Sequence, residues 1–179
     1  PYTTLFRSGP AGRGEARLVI IGVIGGEQAD DDASSLAFEV GAGIGRSGHM
    51  LITGGRGGVM RAACEGAKST GGTTIAILPG DDLFDANEFV DIPIITGLGF
   101  ARNTIITRTA NALVAIDGMY GTLSEIAFAL ISGTPVVGLG TWEMRNGHGL
   151  EAPVIRASTA AEAVASALEH ARPHPGQRA

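Results

Sequence analysis

The chain has 179 residues, 44% of them apolar and 17% charged, and carries a net charge of −5; this fits one compact domain with a sizeable core and excludes a disordered or fibrous chain. A single cysteine, Cys64, excludes a disulfide framework or a multi-cysteine zinc site and makes a reducing, cytoplasmic setting the default. Scattered basic residues argue against a nucleic-acid partner, and no apolar run reaches the ~18 residues of a membrane span, so no membrane association is expected.

Residues 1–16 are rich in glycine, proline, serine and arginine, show no periodicity and begin on proline. They read as a truncated or cloning-derived segment and are set aside from the fold. Leu18 to Val23 is a short, fully apolar run, as expected of a parallel strand covered on both faces. Gly25-Gly26 ends it, and Asp30-Asp31-Asp32 supplies an N-cap and first-turn acids for a helix to Arg46. Met50 to Thr53 reads as a strand, Gly54 to Gly58 as a loop, and Val59 to Ser69 as a helix closed by Gly71-Gly72. Thr73 to Leu78 is the third strand, an acidic loop follows from Asp81 to Glu88, and Val90 to Ile95 is the fourth. Beyond it come a helix at Gly99 to Ala110, a strand at Ala112 to Ile116, a helix at Thr122 to Ile131 and a strand at Pro135 to Leu139. A glycine-rich loop runs through Trp142 to Leu150, Pro153 to Ile155 is a candidate last strand, and Thr159 to Ala171 is an alanine-rich helix. Residues 172–179 read as a disordered tail. This alternation predicts an α/β fold over residues 17–171. Its core is a doubly wound, mostly parallel sheet of about six or seven strands with helices on both faces.

In such sheets ligands bind beyond the carboxyl ends of the strands. Those ends carry Gly25 and Gly26, then Gly54, Gly55, Arg56, Gly57 and Gly58, then Gly118, Met119 and Gly121. Any one of these loops could be only a tight turn, but together they predict a phosphate-bearing ligand held by backbone N–H groups. There is no G-x-x-x-x-G-K-[ST] run, and the first strand is not followed by G-x-G-x-x-G, so a P-loop ATPase and a dinucleotide-dependent dehydrogenase are not expected. Lysine occurs once, at Lys68, in a poor position for Schiff-base chemistry. The acids read as solvated faces and caps and the four histidines lack ligand spacing, so no metal site is expected.

Gly121-Thr122-Leu-Ser-Glu125 after a buried strand resembles the G-G-x-G-T-x-x-E motif of the LONELY GUY (LOG) phosphoribohydrolases, and Arg102 precedes Glu125 at that family's separation. The match to the related molybdenum-cofactor carrier proteins is closer, through the Arg102-Asn103 pair, the Arg-Thr-Ala before the strand and the G-T-L-S-E-I-A segment. The resemblance covers roughly residues 17–140. It implies a Rossmann-like sheet, a homo-oligomer (dimer or tetramer) and a nucleotide or pterin-nucleotide ligand. No required cofactor is implied; a molybdopterin-type cofactor would be cargo. Arg102 and Glu125 take the catalytic positions if the chain is an enzyme, with Asn103, Gly118, Gly121 and Thr122 around the phosphate. Asp117-Gly118-Met119 departs from the P-G-G that opens the LOG motif, Asn103 replaces a basic residue, and Ser124 replaces a glutamate. The expectation is therefore a carrier-like protein that binds a phosphorylated small molecule, the alternative being a nucleoside 5′-monophosphate phosphoribohydrolase. Thr122-Leu-Ser-Glu125 also reads as a capping box, and Asn103 as a helix-start cap.

Overall fold

The computed structural model describes residues 18–173. Seven strands, β1 (Ile20–Gly25), β2 (Met50–Thr53), β3 (Thr73–Leu78), β4 (Ile92–Ile95), β5 (Ala112–Ile116), β6 (Val136–Leu139) and β7 (Ile155–Ala157), form one sheet in the order β4-β3-β2-β1-β5-β6-β7. All six strand pairings are parallel. Strand order reverses between β1 and β5, which places the switch point of a doubly wound sheet at the end of β1.

The alternation of side chains along each strand builds two cores. Ile21, Val23, Leu51, Val114 and Ile116 face α1 (Asp31–Arg46), α2 (Gly58–Ser69) and α5 (Ala160–His170). Ile24, Ile52, Ile77, Leu113 and Ala115 face α3 (Asn103–Thr109) and α4 (Tyr120–Ser132). Cys64 lies in the first core, where burial pushes its thiol up to about 12, which marks it as a packing residue.

Local chemistry sets the helix ends. Asp30 caps α1, its carboxylate accepting from the Ala33 N–H at 2.8 Å. Thr159 accepts from the Glu162 N–H while Glu162 accepts from the Ser158 N–H, a reciprocal cap on α5. Gly133, at φ +72°, ends α4. The expected helix at Gly99 to Ala110 divides into a 3₁₀ turn over Gly99–Arg102 followed by α3; Gly99 sits at φ +54°, outside helical space. The first strand lies two residues later than its apolar run suggests, because the β1–β5 ladder extends to Gly25 opposite Ile116. Arg172, expected in the tail, is tied to the fold: its N–H donates to the Asn111 carbonyl and its own carbonyl accepts from Asn111 Nδ2 at 2.7 Å. Residues 1–17 and 174–179, which include the expected leading segment and most of the expected tail, lie outside the described residues.

Glycine also packs the α-layer. Gly41 of α1 lies against Ala63 of α2, and a Cβ on Gly41 would stand 2.8 Å from the Ala63 carbonyl carbon; Gly66 meets Phe38 in the same way. Both obstacles are backbone, so neither can swing aside. Gly41→Ala should therefore cost about 2–3 kcal/mol in urea-induced unfolding; a loss below about 0.5 kcal/mol would show that the two helices separate freely.

Candidate ligand site at the switch point

At the carboxyl end of the sheet, the loops after β1, β2 and β5 and the turn before α3 enclose a cavity of about 750 Å³, a size suited to a nucleotide-like ligand. Of the residues expected there, Gly25, Gly26, Arg56, Gly57, Arg102, Asn103, Met119, Gly121, Thr122 and Glu125 line it. Gly54, Gly55, Gly58 and Gly118 do not, and their role is steric. A Cβ on Gly54 would stand 2.7 Å from Arg102 Cζ, and Gly118, at φ +100°, packs on Thr122. Gly54 thus makes room for the Arg102 side chain.

Arg102 is only 9% exposed, and its Nε and Nη1 are buried with no hydrogen-bond partner. Among the described residues it makes no ion pair. Burial lowers its pKa and the Glu125 charge partly offsets this, but a guanidinium stays cationic. Glu125 is 6% exposed; burial pushes its carboxyl up to about 7, with Arg102 opposing. The site therefore holds a desolvated cation beside a carboxyl group whose burial favours its neutral form. A buried, unpartnered charge is costly, and an anion entering the cavity is the group that would compensate it.

The capping box expected at Thr122–Glu125 does not form. α4 begins at Tyr120, two residues early, after Met119, which provides no side-chain cap. Thr122 is thus the third helical residue, and Glu125 is buried on the cavity side with its charge coupled to Arg102. Asn103 is not a cap either: it is the first residue of α3 and its Nδ2 donates to Ser124 Oγ at 3.2 Å, tying α3 to α4. α2, which opens at the cavity after Gly57, also lacks a side-chain cap. α2 and α4 thus begin at the site without a side-chain cap, the Val59 N–H of α2 donating to the Gly26 carbonyl at 3.0 Å, whereas α1 and α5 carry side-chain caps.

Sequence reading missed Glu27, Gln28, Met60, Pro79, Gly99 and Phe100, which also line the cavity. Glu27 forms an ion pair with Arg56 at 3.1 Å across the mouth; its place directly after Gly25-Gly26 was the available signal. Phe100, 83% exposed, and Met119, 70% exposed, form an apolar lip.

The fold and this edge define a Rossmann-like protein of the LOG type, with glycine-rich loops and an arginine–glutamate pair at one cavity. The chain belongs to the SLOG cluster4 family, whose model matches residues 18–169. Among solved structures, the molybdenum cofactor binding protein of Rippkaea orientalis superposes with a TM-score of 0.76 at 36% identity, over 85% of this chain and 96% of that one. The Moco carrier protein of Chlamydomonas reinhardtii does so with a TM-score of 0.75 at 40% identity, over 86% and 98%. An uncharacterized protein of Archaeoglobus fulgidus is 49% identical over 69% of this chain and 81% of its own length. A cytokinin riboside 5′-monophosphate phosphoribohydrolase of Mycobacterium tuberculosis is 30% identical over 60% of this chain, which spans 62% of that enzyme.

Glu125 makes stability depend on pH in a fixed direction. Its carboxyl is raised in the folded state, so the stability linked to its neutral form is complete at low pH and is lost as pH rises from 4.5 through about 7. Glu125→Gln removes this term. Relative to wild type, its stability should improve by about 2 kcal/mol between pH 5 and pH 8, measured by denaturant titration at both pH values; a pH-independent difference would mean that Glu125 is not desolvated.

Proposed function

We propose that the chain binds a phosphorylated small molecule, a nucleotide or a molybdopterin-type cofactor carried as cargo, in the cavity at the β1–β5 switch point. The observation that carries this reading is Arg102, buried on the cavity wall with two unpartnered nitrogens. A phosphate there supplies the missing counter-charge and accepts from the uncapped amides at the starts of α2 and α4. Phe100 and Met119 at the lip give a planar heterocycle an apolar surface. The likeness to molybdenum-cofactor binding and carrier proteins favours binding and carriage, and a homo-oligomer would cover the apolar edge strand β4, whose four residues are all exposed.

Hydrolysis of the N-glycosidic bond of a nucleoside 5′-monophosphate is the second reading. It is favoured by Glu125, buried in the cavity with its charge coupled to Arg102, and by the mycobacterial relative. In that reaction Glu125 would orient water or stabilise the developing positive sugar, while Arg102 would hold the phosphate.

Two measurements separate these readings. Calorimetry with adenosine 5′-monophosphate (AMP) should show binding that Arg102→Ala weakens at least tenfold, equivalent to about 1.4 kcal/mol; Phe100→Ala should weaken AMP while leaving inorganic phosphate unchanged. Incubation with nucleoside monophosphates should release no ribose 5-phosphate, and release that disappears in Glu125→Ala would replace carriage by hydrolysis.

A further inference from the structure

The loop between β2 and α2 is held by a side chain that does not line the cavity. Asn87, in the connection between β3 and β4, donates from Nδ2 to the Gly55 carbonyl at 2.9 Å and to the Arg56 carbonyl at 3.0 Å. Its backbone N–H donates to the same Gly55 carbonyl at 2.8 Å. Its Oδ1 in turn accepts from the Phe89 N–H at 3.1 Å, which fixes the amide's orientation. Nδ2 and Oδ1 are thereby bonded to backbone groups, the buried Cys64 also makes a side-chain hydrogen bond to Asn87, and Asn87 does not line the cavity.

Peptide planarity turns this anchoring into a statement about the site. In a trans peptide the carbonyl of one residue and the N–H of the next point in opposite directions. With the Gly55 and Arg56 carbonyls drawn towards Asn87, the N–H groups of Arg56 and Gly57 point away from it. Arg56 and Gly57 are the two residues of this loop that line the cavity. In the β5–α4 loop a single bond plays a more local part: Thr141 Oγ1, beyond β6, donates to the Asp117 carbonyl at 2.6 Å, where Asp117 is at φ +46°. Gly54, the residue before the clamped Gly55, lies against the Arg102 guanidinium.

We infer that Asn87 is a positioning residue for anion binding: by holding the Gly55 and Arg56 carbonyls outward, it aims the Arg56 and Gly57 amides at the ligand's phosphate. This rests on the phosphate-binding reading and adds a residue that never touches the ligand. It differs from ordinary stabilisation, for which Asn111 is the control. Asn111 also makes two side-chain bonds to backbone, accepting from the Ile20 N–H and donating to the Arg172 carbonyl, at the opposite end of the sheet.

The test compares the full chain, Asn87→Ala and Asn111→Ala in calorimetric titrations with AMP, with amide ¹H–¹⁵N spectra of the same titrations. Asn87→Ala should bind AMP about tenfold more weakly and lose the AMP-induced shift of the Gly57 amide while keeping that of Gly121. Asn111→Ala should lower the melting temperature and leave affinity within twofold. If Asn87→Ala binds as the unchanged protein does and keeps the Gly57 shift, or if both variants lose affinity in proportion to stability, the positioning role is wrong although the phosphate reading stands. Failure of the unchanged protein to bind AMP removes both.

Discussion

One constraint organises the carboxyl edge of this sheet: a guanidinium taken out of water without a direct partner. Desolvating a charge costs several kcal/mol unless something compensates it, and Arg102 meets neither an ion pair nor a hydrogen bond at Nε and Nη1 among the described residues. The neighbouring architecture permits this burial. Gly54 lacks the Cβ that would occupy the guanidinium's place, and Glu125 supplies a nearby charge that its own burial disfavours. The structure thus holds an electrostatic deficit on the wall of a cavity, where α2 and α4 begin without side-chain caps. A binding site whose donors are already desolvated and fixed pays little further reorganisation when an anion arrives.

The sheet was legible in the sequence because its strands are short apolar runs with glycine at their carboxyl ends, and that pattern admits few other folds. β2, β3 and β5 lie where their runs place them, whereas β1 is displaced by two residues because its register is set by pairing with β5 and not by its own composition. The glycine content was harder to interpret. Gly54 serves the edge, but Gly41 and Gly66 allow α1 and α2 to approach backbone to backbone, a need that belongs to packing and leaves no periodic mark.

The two T-x-x-E segments show where local reading stops. Thr159 caps α5 by accepting from the Glu162 N–H, and Glu162 reaches back to the Ser158 N–H, one residue before the cap. Thr122 and Glu125 have the same spacing and form no such cap, because α4 starts two residues earlier and carries Glu125 into the interior beside Arg102. The choice is made by tertiary context, so resemblance to the LOG motif carried information that spacing lacked. Asn87 and Glu27 left weaker marks still. One acts through backbone carbonyls 31 and 32 residues away in the chain, and the other becomes notable only once Arg56 is seen beside it.

The most direct test of the account is to follow the Arg102 Nε–H resonance by ¹⁵N-edited spectroscopy while AMP is added to the full chain. A saturable downfield shift of that proton is expected as a phosphate oxygen becomes its acceptor. A resonance that stays in place while AMP demonstrably binds would contradict the account, because the buried guanidinium would then have some purpose other than holding the ligand's charge.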